Sequence, residues 1–180
     1  MANKKRSVGV ILVSWTEIGF VAVLQVRAKW NEEKNAPESW PGACQVTVHG
    51  KLEGEEGFLE ALIREIKEEL GSASTSVINA LVNNGRLTRL VNDETEDKQS
   101  LTYGGVVKEQ VVGALLAIAK TPTCGGFQII RSKDVDNIVD IHTFDKASGV
   151  MDENVIAMFP DEKEAVRLAF EKLGCEKKPA

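Results

Sequence analysis

Three glutamates, Glu65, Glu68 and Glu69, stand at i, i+3 and i+4 in a stretch that reads as helix. At about 100° per residue they share roughly a third of its circumference. Like charges at that spacing repel by about 0.2–0.5 kcal/mol on an exposed helix, so the cluster gains by recruiting a divalent cation. Mg²⁺ is the natural candidate, with Mn²⁺ as its substitute, because it prefers oxygen ligands and usually binds through one or two carboxylates plus substrate phosphates. Leu59, Leu62, Ile63, Ile66 and Leu70 form an adjoining apolar stripe, which lets the helix bury one side and hold the acids beside the buried edge. Taken alone, EIKEELG is more often a solvated helix end than a site, so its surroundings decide.

Those surroundings are specific. Arg64 precedes the triad, and its planar fork suits a bridge to Glu56 or Glu60 that holds the preceding loop against the helix. Gly50 allows a sharp turn or a close backbone approach, and Gly71 stands where a helix commonly ends in a left-handed cap. Together the residues from Gly50 to Gly71 read G-x5-E-x7-R-E-(apolar)-x-E-E-x-G. Seven specified identities at a usage of about one in fifteen each arise by chance about once in 10^8 alignments.

The run resembles a complete Nudix box, with one small departure in that Ser72 replaces the usual final apolar residue. The resemblance implies an α/β fold, a Nudix-type α/β/α sandwich with a mixed sheet. It implies a metal-dependent hydrolase that cleaves a diphosphate linkage in a nucleoside diphosphate derivative or related small molecule. On that reading Glu65, Glu68, Glu69 and the Gly50 carbonyl hold the metal, while Glu68, Glu69 and Arg64 serve catalysis, Arg64 by orienting. The general base is Glu68 or a carboxylate outside the box, for which Glu94, Glu96, Glu109 and Glu153 are candidates.

Two alternatives accompany that expectation. Isopentenyl diphosphate isomerases share the fold and the metal helix, but they carry a catalytic cysteine immediately before the glycine that corresponds to Gly50. This chain has His49 there, and Cys44 lies six residues before Gly50. The other alternative is a nucleotide-binding module without turnover, which would be expected to lose members of the carboxylate set.

The rest of the chain must position these groups. With 180 residues, 43% of them hydrophobic, it suffices for one domain spanning 1–180. A net charge of −5 disfavours a nucleic-acid polymer as ligand. Trp15, Thr16 and Glu17 break the apolar opening, and no run reaches the length of a membrane span, so a cytoplasmic protein is the expectation. Cys44, Cys124 and Cys175 are widely spaced and suggest neither a disulfide framework nor a zinc site.

Val8 to Val13 and Phe20 to Val26 read as strands, Trp30 to Pro41 as a polar loop bordering the substrate, and Cys44 to Val48 as the strand entering the box. Leu87 to Val91 reads as a strand, Asn92 to Lys98 as an acidic loop, and Val106 to Ala119 as a long apolar strand. Phe127 to Ile130 follows as a strand, with Ser132 capping a helical turn through Asp134 to Val139. Pro160 and Asp161 open a final amphipathic helix to Leu173, with the EKKPA tail frayed beyond it. Arg27, at the end of the second strand, is placed to bind a phosphate, and Trp30, Trp40, Tyr103 and Phe127 are candidates to stack on a base.

Overall fold

Val8 to Ser14 is buried without interruption, as befits a strand covered on both faces. This segment is the spine of a computed structural model that describes residues 4–32 and 34–174, with the side chains of 72–74 left out. In chain order the elements are β1 (Lys5–Thr16), β2 (Gly19–Val26), β3 (Trp30–Asn31), β4 (Ala36–Pro37), β5 (Cys44–Gln45), β6 (Val48–Lys51) and α1 (Phe58–Asn83). There follow β7 (Thr88–Glu94), β8 (Lys98–Val106), α2 (Glu109–Leu116), β9 (Phe127–Arg131), β10 (Val139–Asp140), β11 (Ala157–Met158) and α3 (Pro160–Leu173).

The main sheet is mixed and seven-stranded, in the order β5-β2-β1-β8-β7, with β6 joined to β1 and β9 to β2. β1 runs parallel to β8 and antiparallel to β2 and β6. Alternation along β1 sends Val8, Val10 and Leu12 to a cluster with Leu62 and Ile66 of α1 and with Val112 and Leu115 of α2. Ile11 and Val13 point the other way, toward Ala165, Val166, Ala169 and Leu173 of α3. The sheet is therefore packed between α1 with α2 on one face and α3 on the other, which is the expected α/β/α sandwich.

β1 changes partner midway, pairing with β6 up to Val10 and with β2 from Leu12. Thr47 fills the fork. Its buried hydroxyl accepts from the Leu12 N–H at 2.8 Å and donates to the Val23 carbonyl at 2.6 Å, satisfying backbone groups the diverging strands leave open. For the same reason the expected strand over Cys44 to Val48 divides into β5 and β6, one on each side of Thr47.

Several sequence expectations are corrected. Val106 to Ala119 is not a strand, since β8 ends at Val106 and Glu109–Leu116 is helical. Only Val112 and Leu115 of that helix are buried, one turn apart, whereas Leu116 is exposed. Asn92 to Glu94 belong to β7, which leaves Thr95 to Asp97 as the turn. The Trp30 to Pro41 loop contains the β3–β4 hairpin. Ser132 does not cap its turn, because it lies inside a 3-10 helix of Ser132–Asn137 preceded by Arg131.

Gly71 has the positive φ expected of a cap, +78°, yet the helix resumes beyond it to Asn83. The glycine makes a kink, and Ile78 and Leu81 after it return to the same core as Leu62 and Ile66. In the apolar stripe, Leu59 is exposed and Ala61 takes the buried place. The final helix is as expected, with Pro160 in its first turn. Cys175 and the EKKPA tail lie outside the described residues. No described helix is long and apolar enough to cross a membrane.

Candidate active site

Gly50 lies on β6, opposite Val8 of β1, and its neighbour across the layer is Glu65 of α1. A Cβ at position 50 would stand 1.8 Å from Glu65 Cδ and 2.0 Å from Oε1. The glycine is thus required by space, because the Glu65 carboxylate rests directly on the strand backbone.

Arg64 locks this contact. Its Nη2 donates to Glu56 Oε1 at 2.7 Å and to the Lys51 carbonyl at 2.7 Å, and its Nε reaches Glu56 Oε2 at 3.3 Å. Its Nη1 donates to Glu65 Oε1 at 3.0 Å and to Glu68 Oε2 at 3.1 Å. The hydrogen bonds to Glu56 raise the guanidinium's pKa and, reciprocally, hold Glu56 below the usual carboxylate range. Of the two partners expected for Arg64, Glu56 is the one engaged, whereas Glu60 accepts the Gly57 N–H at 2.9 Å and secures the helix start.

Glu65, Glu68 and Glu69 line one wall of a cleft of about 440 Å³. β2 and β5 supply its floor through Gln25 and Gln45, and the β3–β4 hairpin stands opposite with Trp30 and Glu38. Glu65 is mostly covered, its side chain 14% exposed, while Glu68 is 54% exposed. A loop carrying Cys124 closes the remaining side.

Arg27 also lines the cleft, but its guanidinium is engaged. It donates to the Ser39 carbonyl at 2.8 Å, to Gln45 Oε1 at 3.1 Å and to Glu38 Oε1 at 2.8 Å. Burial alone would raise the Glu38 pKa, but hydrogen bonds from Asn31 and the Ser39 N–H, with the charge of Arg27, outweigh it and hold Glu38 below the usual range. Sequence reasoning missed Glu38, Gln25 and Gln45, since neither a loop carboxylate nor two glutamines twenty residues apart carry a recognisable spacing.

The distal carboxylates are elsewhere. Glu94 pairs with Lys4, Glu153 with Lys120, and Glu109 accepts the Glu17 N–H. Neither these nor Glu96 line the cleft. Of the aromatic candidates, Trp30 does. Phe127 is in the core with Tyr103 packed beside it, and Trp40 stacks edge-on against His142 and Phe159.

His49 turns away from α1. A Cβ on Gly9 would approach both His49 Cδ2 and Val46, a member of the α3-side cluster. Burial pushes its pKa down to about 4, so the ring is neutral at physiological pH.

Among the described residues no three His, Cys, Asp or Glu side chains converge closely enough to enclose a metal ion. The donor set nonetheless fits Mg²⁺, for three carboxylates face one open cleft and the Gly50 backbone lies against one of them. A hard cation that keeps waters and shares its shell with phosphates needs only part of its coordination from protein.

The family model of the NUDIX domain matches residues 3–119. No curated protein matches the chain in sequence. Solved structures similar to it include a mutT/nudix family protein from Listeria innocua, with a TM-score of 0.59 at 15% identity over 97% of this chain and 96% of that one. The NUDIX domain of Shewanella oneidensis NrtR, crystallised with ADP ribose, gives 0.56 at 14% identity, covering 96% and 90%. The C-terminal domain of mouse MUTYH, solved in complex with human PCNA, gives 0.53 at 14% identity, covering 96% and 91%. Identities this low speak for the fold alone, whereas the family model spans well over half of the chain: this protein belongs to the Nudix family.

Proposed function

We propose that the protein is a metal-dependent pyrophosphohydrolase acting on a diphosphate linkage in a small nucleoside diphosphate derivative. The observation that carries this reading is the joint presence of Glu65, Glu68 and Glu69 on one cleft wall, with the Gly50 backbone fitted to Glu65. Glu65, Glu68, Glu69 and the Gly50 carbonyl are the groups that would hold Mg²⁺ or Mn²⁺. When bound, such a cation polarises phosphoryl oxygens and lowers the pKa of water.

The chain's own residues divide the remaining work. Arg64 orients Glu65 and Glu68 through its two Nη1 contacts and ties the helix to the strand through Lys51. Glu68, the more exposed of the two, serves as general base toward an attacking water, within whose reach a base must stand. Trp30 offers a face for a base, and Arg27 keeps the hairpin in place beside the phosphates. The acidic net charge favours a small molecule over a nucleic-acid polymer.

A binding module without turnover is the second reading. It draws on Arg64, whose contacts with Glu65 and Glu68 already satisfy part of the carboxylate charge, and on the NrtR domain crystallised with ADP ribose. An isomerase is disfavoured by His49, which replaces the cysteine and faces away from the cleft helix. A Mg²⁺-dependent screen of nucleoside triphosphates, nucleotide sugars, dinucleoside polyphosphates and coenzyme diphosphates, with product identification, separates these readings. Release of defined phosphate products supports hydrolysis, whereas tight binding of a nucleotide without products supports the module.

A further inference from the structure

Four side chains on three segments form a continuous line of hydrogen bonds across the cleft floor. Arg27 Nη1 donates to Gln45 Oε1 at 3.1 Å, Gln45 Nε2 donates to Gln25 Oε1, and Gln25 Nε2 donates to Glu69 Oε2 at 3.1 Å. The two glutamines are direct cross-strand partners in the β2–β5 ladder, so their proximity is built into the register. Beyond Arg27 the line continues through Glu38 Oε1, and Glu38 Oε2 accepts from Asn31 of the hairpin.

The ends fix the middle. A guanidinium has only donors and a carboxylate only acceptors. Gln45 must therefore accept with Oε1 and donate with Nε2, and Gln25 must do the same, because flipping either amide sets two like groups face to face. Every dipole points from the cation toward the carboxylate, an arrangement in which neighbouring bonds strengthen one another. Neither glutamine belongs to the Nudix box, and neither is needed to fill the core.

We propose that Gln25 and Gln45 are positioning residues that hold Glu69 in one orientation and link it to the Arg27–Glu38 pair at the base of the hairpin. The proposal rests on the reading of Glu69 as a metal ligand. Partners that orient a metal's ligands typically account for about 10–100-fold in metal affinity, so the relay is measurable with Mn²⁺ alone, without any substrate.

The test is Mn²⁺ binding by electron paramagnetic resonance on the full chain, comparing Gln25→Leu, Gln45→Leu, Glu69→Gln and the double variant Gln25→Leu/Glu69→Gln. Expected are an approximately tenfold weaker Kd for Gln25→Leu and a smaller weakening in the same direction for Gln45→Leu. Adding Gln25→Leu to Glu69→Gln should produce no further loss, since a positioning residue has nothing left to position. Gln45 stands one hydrogen bond further along the line, beyond Gln25, and Gln45→Leu keeps the test decisive if Gln25→Leu lowers the unfolding temperature. Unchanged affinity in Gln25→Leu and Gln45→Leu, with Glu69→Gln weakened, would overturn the relay and leave the metal reading intact. An unchanged affinity in Glu69→Gln itself would overturn the metal reading and the relay together.

Discussion

Gly50→Ala should abolish most activity while leaving the protein nearly as stable as before. The new Cβ would stand 1.8 Å from Glu65 Cδ, and ordinary contact begins near 3.4 Å, so the carboxylate must retreat by about 1.6 Å. The nearest atoms it meets, Cδ, Oε1 and Cγ, all belong to the flexible Glu65 side chain and none to backbone, so Glu65 can rotate from its Cα–Cβ bond outward without moving the strand. Rotation forfeits the hydrogen bond from Arg64, which keeps its bonds to Glu56 and Glu68, at a cost of about 1.5 kcal/mol. Alanine in place of glycine returns about 0.4–1 kcal/mol by restricting the unfolded chain.

The net loss of about 1 kcal/mol or less lowers Tm by about 2–4 °C at most for a chain of this size. Displacing a catalytic group by about 1 Å, by contrast, costs about 10²-fold in rate. The assay pairs thermal unfolding with Mg²⁺-dependent turnover, and repeats the unfolding in a Glu65→Ala background, where Gly50→Ala should cost nothing. Turnover within threefold of wild type would refute the reasoning, as would a fall in Tm beyond about 10 °C, which would mean that the backbone and not Glu65 meets the new methyl.

Other perturbations probe the scaffold. Glu162 on α3 is buried with Oε2 unpartnered, and burial first, then the charge of Asp161, pushes its pKa up to about 8. A raised folded-state pKa means that its contribution to stability is present in full below the unfolded value near 4.5 and is lost as pH rises through about 8. Below about pH 6.5 the buried neutral His49 opposes this trend, because its unfolded form takes up a proton there that the folded form does not. Urea unfolding should therefore show stability falling between about pH 6.5 and 8, by about 2 kcal/mol, and Glu162→Gln should flatten that limb; an unchanged slope would contradict it. Thr47→Val removes both hydroxyl bonds at the strand fork and leaves the Leu12 N–H and Val23 carbonyl buried and unsatisfied. At about 1–3 kcal/mol for each such group, chemical denaturation should register a loss of about 3 kcal/mol, and a loss under about 0.5 kcal/mol would show that water replaces the hydroxyl.

The carboxylate helix was legible because helical spacing and chemistry coincide in Arg64, Glu65, Glu68 and Glu69. The role of Gly50 was legible as a need for close approach, but its neighbour was not, since Glu65 meets it only after the strand and helix pack. β8 went unassigned because Gly104 and Gly105 interrupt its apolar run and carry no side chains to show a strand's alternation. In the fold they are thin points of a buried strand. A Cβ on Gly104 would meet Leu173 and Leu90, and one on Gly105 would meet Leu81 and Leu87, so each lets side chains lie close on one face of the sheet. The apolar run after them was misassigned because Val112 and Leu115 bury one stripe of a helix too short to display its period clearly. Glu38 and the two glutamines were invisible for another reason, for the glutamines become neighbours only through the β2–β5 register, and Glu38 joins them only through Arg27.

Whether Glu65, Glu68 and Glu69 form a metal-dependent hydrolytic site is decided by Glu69→Gln, assayed with Mg²⁺ on the best substrate from the screen. The substitution preserves volume and removes the carboxylate charge. Turnover should fall by about two orders of magnitude or more, with the unfolding temperature nearly unchanged. Turnover like that of the wild type, or hydrolysis that persists without a divalent cation, would contradict the metal-dependent site.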